Sequence, residues 1–182
     1  MQHYLGEGDT VREFFMRTDR IGFSHWKEDD VELAQKLWGE KDVTRFICAT
    51  GEFSKKDIQD RLNREIQNGS EYNVQYWPIF SIATGDFIGC CGVRPFEAEA
   101  NAFEIGFHLR KEYWGKGYAF EAASRAIHYC FTELNAEKLF AGHHPLNEGS
   151  KKLLTCLGFT YIGDNFYEPT GLFHPSYEMK ME

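Results

Sequence analysis

The chain has 182 residues, 42% of them hydrophobic and 16% aromatic, which allows one domain with a sizeable core and disfavours disorder. Its 20 basic and 28 acidic side chains give a formal net charge of −8, which disfavours nucleic-acid binding and favours cationic partners such as amines. No apolar run approaches the length of a membrane-spanning helix. Five cysteines, an odd number with no signal-peptide pattern, predict free thiols and a cytoplasmic location.

The first 18 residues mix charged and aromatic side chains without a clear period. They predict a flexible lead, with a short helical turn at residues 11–16, and the folded domain is expected to span residues 19–182. Period-two alternation then predicts a first strand over residues 20–26.

Two helices are predicted next, from apolar side chains at helical spacing. The first covers residues 29–38, carries acids in its first turn and ends at Gly39. The second opens with Ser54 and Asp57, which form a capping-box pattern, and is expected to run to about residue 67.

A hairpin follows, with strands over residues 76–83 and 87–93 and a turn at Thr84-Gly85-Asp86. The next strand, residues 103–109, alternates between large apolar side chains and others, as a half-buried strand does. Its apolar face holds Phe103, Ile105, Phe107 and Leu109, and its other face holds Glu104, Gly106 and His108. Gly106 is expected to leave room for a substrate beside Glu104.

A glycine-rich turn, Trp114-Gly115-Lys116-Gly117-Tyr118-Ala119, separates this strand from a helix over residues 120–134. A strand, a glycine turn and a helix start in this order predict an anion site. Glycines let the backbone come close to a ligand, and the first N–H groups of a helix have no partners within it. The spacing fits neither the P-loop nor the dinucleotide fingerprint, which needs a third glycine where Phe120 stands.

The rest of the chain predicts three more strands and a short helix. They are a strand over residues 138–143, a helix over 147–157 ended by Gly158, and a closing hairpin with strands over 159–166 and 174–181. The predicted fold class is therefore α+β, a single domain with a mostly antiparallel sheet.

The order of these motifs resembles the GNAT superfamily of acetyl-CoA-dependent N-acetyltransferases, whose signature Arg/Gln-x-x-Gly-x-Gly/Ala lies between a strand and a long helix. Gly117 and Ala119 occupy its last two places and Trp114 its first, a variation typical of the RimJ/RimL-like branch. Asn147-x-x-Ser150 and Leu157-Gly158-Phe159 resemble the superfamily's last helix and the following strand. The resemblance implies a sheet that is splayed at its central strand and flanked by helices.

The resemblance also implies acetyl-CoA as the acyl donor and a primary amine, either a peptide N-terminus or a small amine, as the acceptor. The amides of the turn and the Lys116 charge would hold the diphosphate, and the pantetheine arm would pair with the free edge of residues 107–109. The implied coenzyme-binding residues are Phe107, His108, Leu109, Trp114, Gly115, Lys116, Gly117, Tyr118, Ala119, Phe120 and Asn147.

Two residues are catalytic candidates. Glu104 would be the general base, as proposed for the corresponding acid of RimJ/RimL-like enzymes, although polar alternation alone also places glutamates in strands. Ser150 would assist the leaving thiolate, because Leu154 stands where many superfamily members carry a tyrosine. Ser150 and Asn147 equally suit helix capping. A backbone N–H near Leu109 would stabilise the oxyanion.

No metal site is predicted, because His143 and His144 are adjacent in a strand and face opposite ways. One alternative function is a non-catalytic acyl-CoA-binding or sensing module, which the missing tyrosine favours. A nucleotide-binding domain is a weaker alternative. The sequence leaves open the identity of the acceptor and whether the chain forms a homodimer.

Overall fold

The computed structural model describes residues 11–181, and these build one sheet of eight strands with helices on both faces. The strands are β1 (Met16–Arg17), β2 (Ile21–Phe23), β3 (Tyr76–Ser81), β4 (Phe87–Pro95), β5 (Ala102–Leu109), β6 (Lys138–Gly142), β7 (Thr160–Tyr167) and β8 (Leu172–Lys180). The α-helices are α1 (Val31–Trp38), α2 (Lys41–Thr44), α3 (Lys55–Tyr72), α4 (Tyr118–Thr132) and α5 (Glu148–Leu157). Across the sheet the order is β1-β2-β3-β4-β5-β6-β8-β7, and each neighbouring pair except β5 and β6 is antiparallel. The predicted α+β class and mostly antiparallel sheet are confirmed.

The two faces of β5 pack against two different cores, as its alternation predicted. Ile105 and Leu109 are buried in a core that includes Ala123 of α4. On the opposite face, Leu62 of α3 and Tyr76 of β3 belong to a second core, which also holds α1. Because helices cover both faces, β5 lies in the middle layer of the molecule.

β5 is paired along its length on one side only. On that side, residues 103–109 pair with β4. On the other side, only residues 102–104 pair with residues 138–140 of β6. Beyond this point the two parallel strands diverge, and no described strand lies beside that edge of residues 105–109. The splay implied by the resemblance is therefore confirmed.

Helix α3 begins as predicted but ends later. Ser54 Oγ accepts a hydrogen bond from the N–H of Asp57, and the Asp57 carboxylate accepts one from the N–H of Ser54, so the capping box is formed. The helix continues past Gly69, because the missing side chain there makes room for the amide of Gln75. Asn73, with φ of 59°, then supplies the left-handed residue that ends the helix.

The N-terminal part of the chain differs from prediction where it can be compared. Met16–Arg17, expected in the flexible lead, form β1, and the Met16 side chain is buried. The helical turn predicted at residues 11–16 is not formed. Residues 1–10 of the predicted lead lie outside the described residues. Within residues 11–181, no helix has both the length and the apolarity that crossing a membrane requires.

Gly106 is covered by the ring of Tyr76. A Cβ atom at Gly106 would overlap the ring carbons and hydroxyl of this buried tyrosine. The expectation that Gly106 leaves room for a substrate is therefore wrong, since a core side chain fills the space. Gly142, at the end of β6, differs: a Cβ there would meet no atom closer than 3.5 Å.

We expect Gly106→Ala to lower the free energy of unfolding by about 1–3 kcal/mol, because the added methyl displaces a packed ring. Gly142→Ala is the matched control on the neighbouring strand, and it should change stability by less than about 1 kcal/mol. Urea denaturation of both variants measures the difference. Equal stability of the two variants would contradict the packing described for Tyr76.

Candidate active site

A cavity of about 950 Å³ opens where β5 and β6 diverge. Its walls come from β5, the turn before α4, the end of β6, the first turns of α5 and the β7–β8 hairpin. The volume is in the range of a small-molecule site. The sequence motifs that predicted an anion site, a base and a capped helix therefore meet in one place.

The turn before α4 leaves a row of backbone N–H groups without protein partners. Gly115 and Gly117 have φ of 69° and 82°, a left-handed conformation that favours glycine. The first N–H that bonds back into the helix is that of Glu121, which donates to Gly117 O. Within residues 11–181, the N–H groups of residues 115–120 donate to no protein acceptor. This geometry suits an anion.

Arg20, which the sequence analysis did not single out, holds this turn in place. Its Nη1 donates to Lys116 O at 3.1 Å, and its guanidinium lies 4.2 Å from the centre of the Tyr118 ring. The same guanidinium forms a 2.7 Å ion pair with Glu121. Arg20 is about a hundred residues from the turn in sequence, so no local motif could reveal the contact.

The free edge of β5 presents backbone groups of alternate residues to the cavity. Arg110 N donates to Ile88 O, and Phe96 N donates to Ala102 O, so even-numbered residues of β5 direct their backbone groups toward β4. The N–H and C=O of Phe107 and the N–H of Leu109 therefore face the diverging side. Leu109 O accepts a 2.8 Å hydrogen bond from Trp114 Nε1.

Glu104 forms an ion pair with Arg94, its neighbour in register on β4. Arg94 Nη2 lies 2.6 Å from Glu104 Oε1, and each side chain is 30% exposed. Both residues line the cavity. Arg94 was not predicted, because it lies one residue beyond the predicted strand over residues 87–93, whereas β4 continues to Pro95.

Asn147 is the N-cap of α5, because its Oδ1 accepts the N–H of Ser150 at 3.1 Å. The helix-capping interpretation is therefore confirmed for Asn147, whereas the Ser150 side chain makes no capping hydrogen bond within residues 11–181. Ser150 also lines the cavity, and its hydroxyl donates to no acceptor within the described residues. Leu154, one turn further on, is fully buried in the core.

A sequence model of the acetyltransferase (GNAT) domain matches residues 20–160. The chain belongs to this family. It is 30% identical over 146 residues to the uncharacterized N-acetyltransferase p20 of Bacillus licheniformis, covering 80% of this chain and 82% of that protein. A GNAT-family acetyltransferase from Bacillus anthracis has the same fold, with a TM-score of 0.77, 21% identity and coverage of 92% and 98% of the two chains. RimJ of Mycobacterium smegmatis, solved with a CoA-disulfide, has a TM-score of 0.73, 16% identity and coverage of 88% and 81%.

GNAT acetyltransferases use acetyl-CoA, and two features of this GNAT chain fit that donor. The amides of residues 115–120 are without protein partners, and a Cβ placed on Gly115 would meet no atom within 4 Å. A diphosphate can therefore approach the backbone at this turn. As a member of the family, the chain is an N-acetyltransferase by class.

In this GNAT domain, His108 differs from Phe107 and Leu109 in the direction of its backbone groups. Its backbone groups face β4, so they are not part of the free edge as the sequence analysis expected. Its Nδ1 accepts a 3.1 Å hydrogen bond from Trp38 Nε1. Burial, together with the charges of Arg61 and Arg94, lowers the pKa of His108 to about 3. The ring is neutral at physiological pH and is not a base.

The two histidines at the end of β6 face different neighbours in this GNAT domain. His143 Nδ1 lies 2.8 Å from His144 O, and its Nε2 lies 3.0 Å from the Tyr177 hydroxyl. The His144 ring packs 4.9 Å from that of Phe46. Within residues 11–181, no group of three or more His, Cys, Asp and Glu side chains could hold a metal ion.

We expect His108 to make stability depend on pH. The folded protein keeps the ring neutral, whereas an unfolded chain protonates it below pH 6.5, so its contribution is present above pH 6.5 and is lost as pH falls toward 3. Between pH 7.5 and 4.5 the loss is about 3 kcal/mol. His108→Asn, which keeps an acceptor for Trp38, should lose less stability over this range by about that amount. Urea denaturation at both pH values tests this, and an equal loss in both proteins would exclude the assignment.

Proposed function

We propose that this N-acetyltransferase moves the acetyl group of acetyl-CoA to a primary amine by direct attack in a ternary complex. One observation carries the proposal: the unpartnered amides of the α4 turn stand beside the unpaired edge of β5, and both border one cavity. A diphosphate and a peptide-like arm are the two ligand parts that such a pair of surfaces accepts.

In this proposal the donor lies across the turn and along the strand. The N–H groups of residues 115–120 bind the diphosphate, and the exposed Lys116 adds a positive charge beside it. The backbone of Phe107 pairs with the amides of the pantetheine arm. Trp114 and Asn147 act by shaping the turn and the start of α5, through their bonds to Leu109 O and Ser150 N.

Acetyl-CoA supplies the acetyl group in activated form, as a thioester. The N–H of Leu109, which faces the diverging side of β5, donates to the acetyl carbonyl oxygen, where negative charge develops. Glu104 accepts a proton from the amine, directly or through water. Arg94 binds Oε1 of Glu104, so Oε2 is the oxygen that accepts this proton.

Ser150 donates a hydrogen bond from its hydroxyl to the departing sulfur, which leaves as the thiolate of CoA. This role is supported by its position in the cavity wall and by the absence of a tyrosine at position 154. Helix capping by Asn147 fixes the backbone of Ser150 and leaves its hydroxyl available, so the two roles are compatible.

The acceptor is either a peptide N-terminus or a small amine. The likeness in fold to RimL, a ribosomal L7/L12 alpha-N-protein acetyltransferase, supports the first, and the small-molecule volume of the cavity supports the second. We also propose a cytoplasmic location, which the five free cysteines (Cys48, Cys90, Cys91, Cys130 and Cys156) support.

We expect Gly115→Ala to weaken CoA binding at least about tenfold, because a methyl group would stand where the phosphate meets the amides. Gly85→Ala is a matched control. Gly85 has φ of 77° against 69° at Gly115, and neither has an atom within 4 Å of its Cβ position. Both changes cost similar backbone strain, on the order of 1 kcal/mol. Calorimetry with CoA measures the difference in affinity. Equal affinities in both variants would count against diphosphate binding by the amides of this turn.

Turnover tests the catalytic roles. Thiol release from acetyl-CoA should appear with at least one member of a panel of primary amines and peptide N-termini. We expect Glu104→Gln to lower kcat about 10²–10⁴-fold, because a general base is lost. Ser150→Ala should lower kcat about tenfold or more, because a donor to a charged sulfur is lost.

Two exposed positions that do not line the cavity, Glu97→Gln and Ser70→Ala, are the controls and should leave turnover unchanged. CoA binding without turnover for any amine would instead support a binding module. Full activity of Glu104→Gln would exclude Glu104 as the base.

A further inference from the structure

The Arg94–Glu104 pair presents both of its charges to the cavity. The two side chains lie opposite each other on adjacent strands, 2.6 Å apart, and each retains 30% exposure. The pair is therefore neither buried in the core nor free on the outer surface. It is a positive and a negative group side by side on a concave wall.

Each member of this pair keeps hydrogen-bonding capacity. Within residues 11–181, Nε and Nη1 of Arg94 donate to no protein acceptor, and Oε2 of Glu104 accepts from no protein donor. A guanidinium presents its donors in a planar fork that matches a carboxylate. Arg94 can therefore bind an anion without releasing Glu104.

The other charged side chains of the cavity wall have partners that neutralise them. The pairs are Arg61 with Glu65 at 2.9 Å, Glu99 with Lys138 at 2.8 Å, and Asp42 with Lys111 at 2.8 Å. Arg45 also lines the cavity, but its side chain is 57% exposed and lies 3.9 Å from Asp42. Arg94 and Glu104 are thus the half-buried charged side chains of the wall that pair with each other. Both charges of this pair therefore face the cavity.

Aromatic rings line the cavity wall near the pair. The Tyr76 ring centre lies 5.9 Å from the Arg94 guanidinium carbon, and the rings of Phe96 and Phe140 stack 4.2 Å apart in the same wall. In such a setting a charge–charge contact is stronger than in water. An unmatched charge is correspondingly costly, so the pair selects for its complement.

We propose that the acceptor is a small zwitterionic amine of the amino-acid type, with Arg94 binding its carboxylate while Glu104 faces its amine. This inference rests on the proposed function. Adjacent opposite charges in the wall complement a molecule that carries both charges a few bonds apart. An amine without an anionic group would bring apolar atoms against the Arg94 fork and would leave its donors unpaired.

The test compares each proteinogenic L-amino acid with its own carboxamide, which keeps the amine and the side chain and removes the negative charge. Thiol release from acetyl-CoA gives kcat/KM for both members of each pair. For the best acceptor, the acid should exceed the amide by about 10- to 100-fold, the range expected for a hydrogen-bonded charge pair. Short peptides with acetylatable N-termini and amidated C-termini are the third arm.

Arg94→Gln should reduce this acid-to-amide ratio to near one, because the fork that reads the carboxylate is gone. Arg64→Gln, an exposed position on α3 outside the cavity, should keep the ratio of the unchanged protein. A merely structural role of Arg94 would lower both members of a pair equally and leave their ratio intact. The ratio in the unchanged protein tests the proposal even where Arg94→Gln fails to fold.

Amides or amidated peptides that react as well as the free acids would overturn this inference and leave the proposed acetyl transfer standing. Absence of thiol release in all three arms and in the wider panel of primary amines would instead overturn the proposed function. In that case, the melting temperature of the CoA-saturated protein, measured with and without added amino acids, still tests whether Arg94 binds a carboxylate. Stabilisation by free amino acids and not by their amides supports the Arg94 assignment, and equal effects exclude it.

Discussion

The structure depends on the point at which β6 stops following β5. A strand in the middle of a sheet ordinarily has its N–H and C=O groups paired on both sides, and leaving them unpaired inside a protein is costly. β5 is paired with β6 over only three residues, and helices cover both of its faces. On the side toward β6, its remaining backbone groups therefore face a cavity, whereas those of an ordinary edge strand face solvent. A ligand with amide groups can form the hydrogen bonds that this edge of β5 lacks.

The α4 turn is the second incomplete element, and it is held open by specific contacts. Its left-handed glycines and the bonds from Arg20 to Lys116 O and Glu121 keep the first helical N–H groups directed away from the protein. Trp114 couples the turn to the strand by donating to Leu109 O. These contacts fix the two incomplete backbone surfaces relative to each other, which lowers the ordering cost of binding.

The sequence predicted the elements well where the signal is local. The capping box of α3, the hairpin between β3 and β4, the alternation of β5 and the Gly158 end of α5 were all readable, because each depends on residues within a few positions of one another. The diverging sheet came from resemblance and not from pattern. The short elements β1 and α2 were not predicted, because a segment of two or four residues is too short to show a periodic pattern.

The parts of the site that the sequence missed depend on contacts between distant segments. Gly106 looked like space for a substrate, but the ring that fills it comes from a strand thirty residues earlier, a distance no periodicity registers. The anchoring of the turn by Arg20 is non-local in the same way. Arg94 is intermediate, since it follows from register once β4 and β5 are paired. The sequence identifies Glu104 as a candidate base, but only the tertiary structure shows that Arg94 forms an ion pair with it.

The missing tyrosine at position 154 also finds a physical explanation in the fold. Leu154 is fully buried between α5 and the sheet, where a hydroxyl would need a partner. Tyr177 brings a hydroxyl to the same wall, but a carbonyl oxygen faces His143 Nδ1. In a neutral ring that nitrogen therefore carries the proton, and Nε2 accepts from Tyr177. Burial also raises the pKa of Tyr177. Its proton is therefore committed to His143, whereas the hydroxyl of Ser150 remains uncommitted within the described residues, and this asymmetry favours Ser150 as the donor to the departing sulfur.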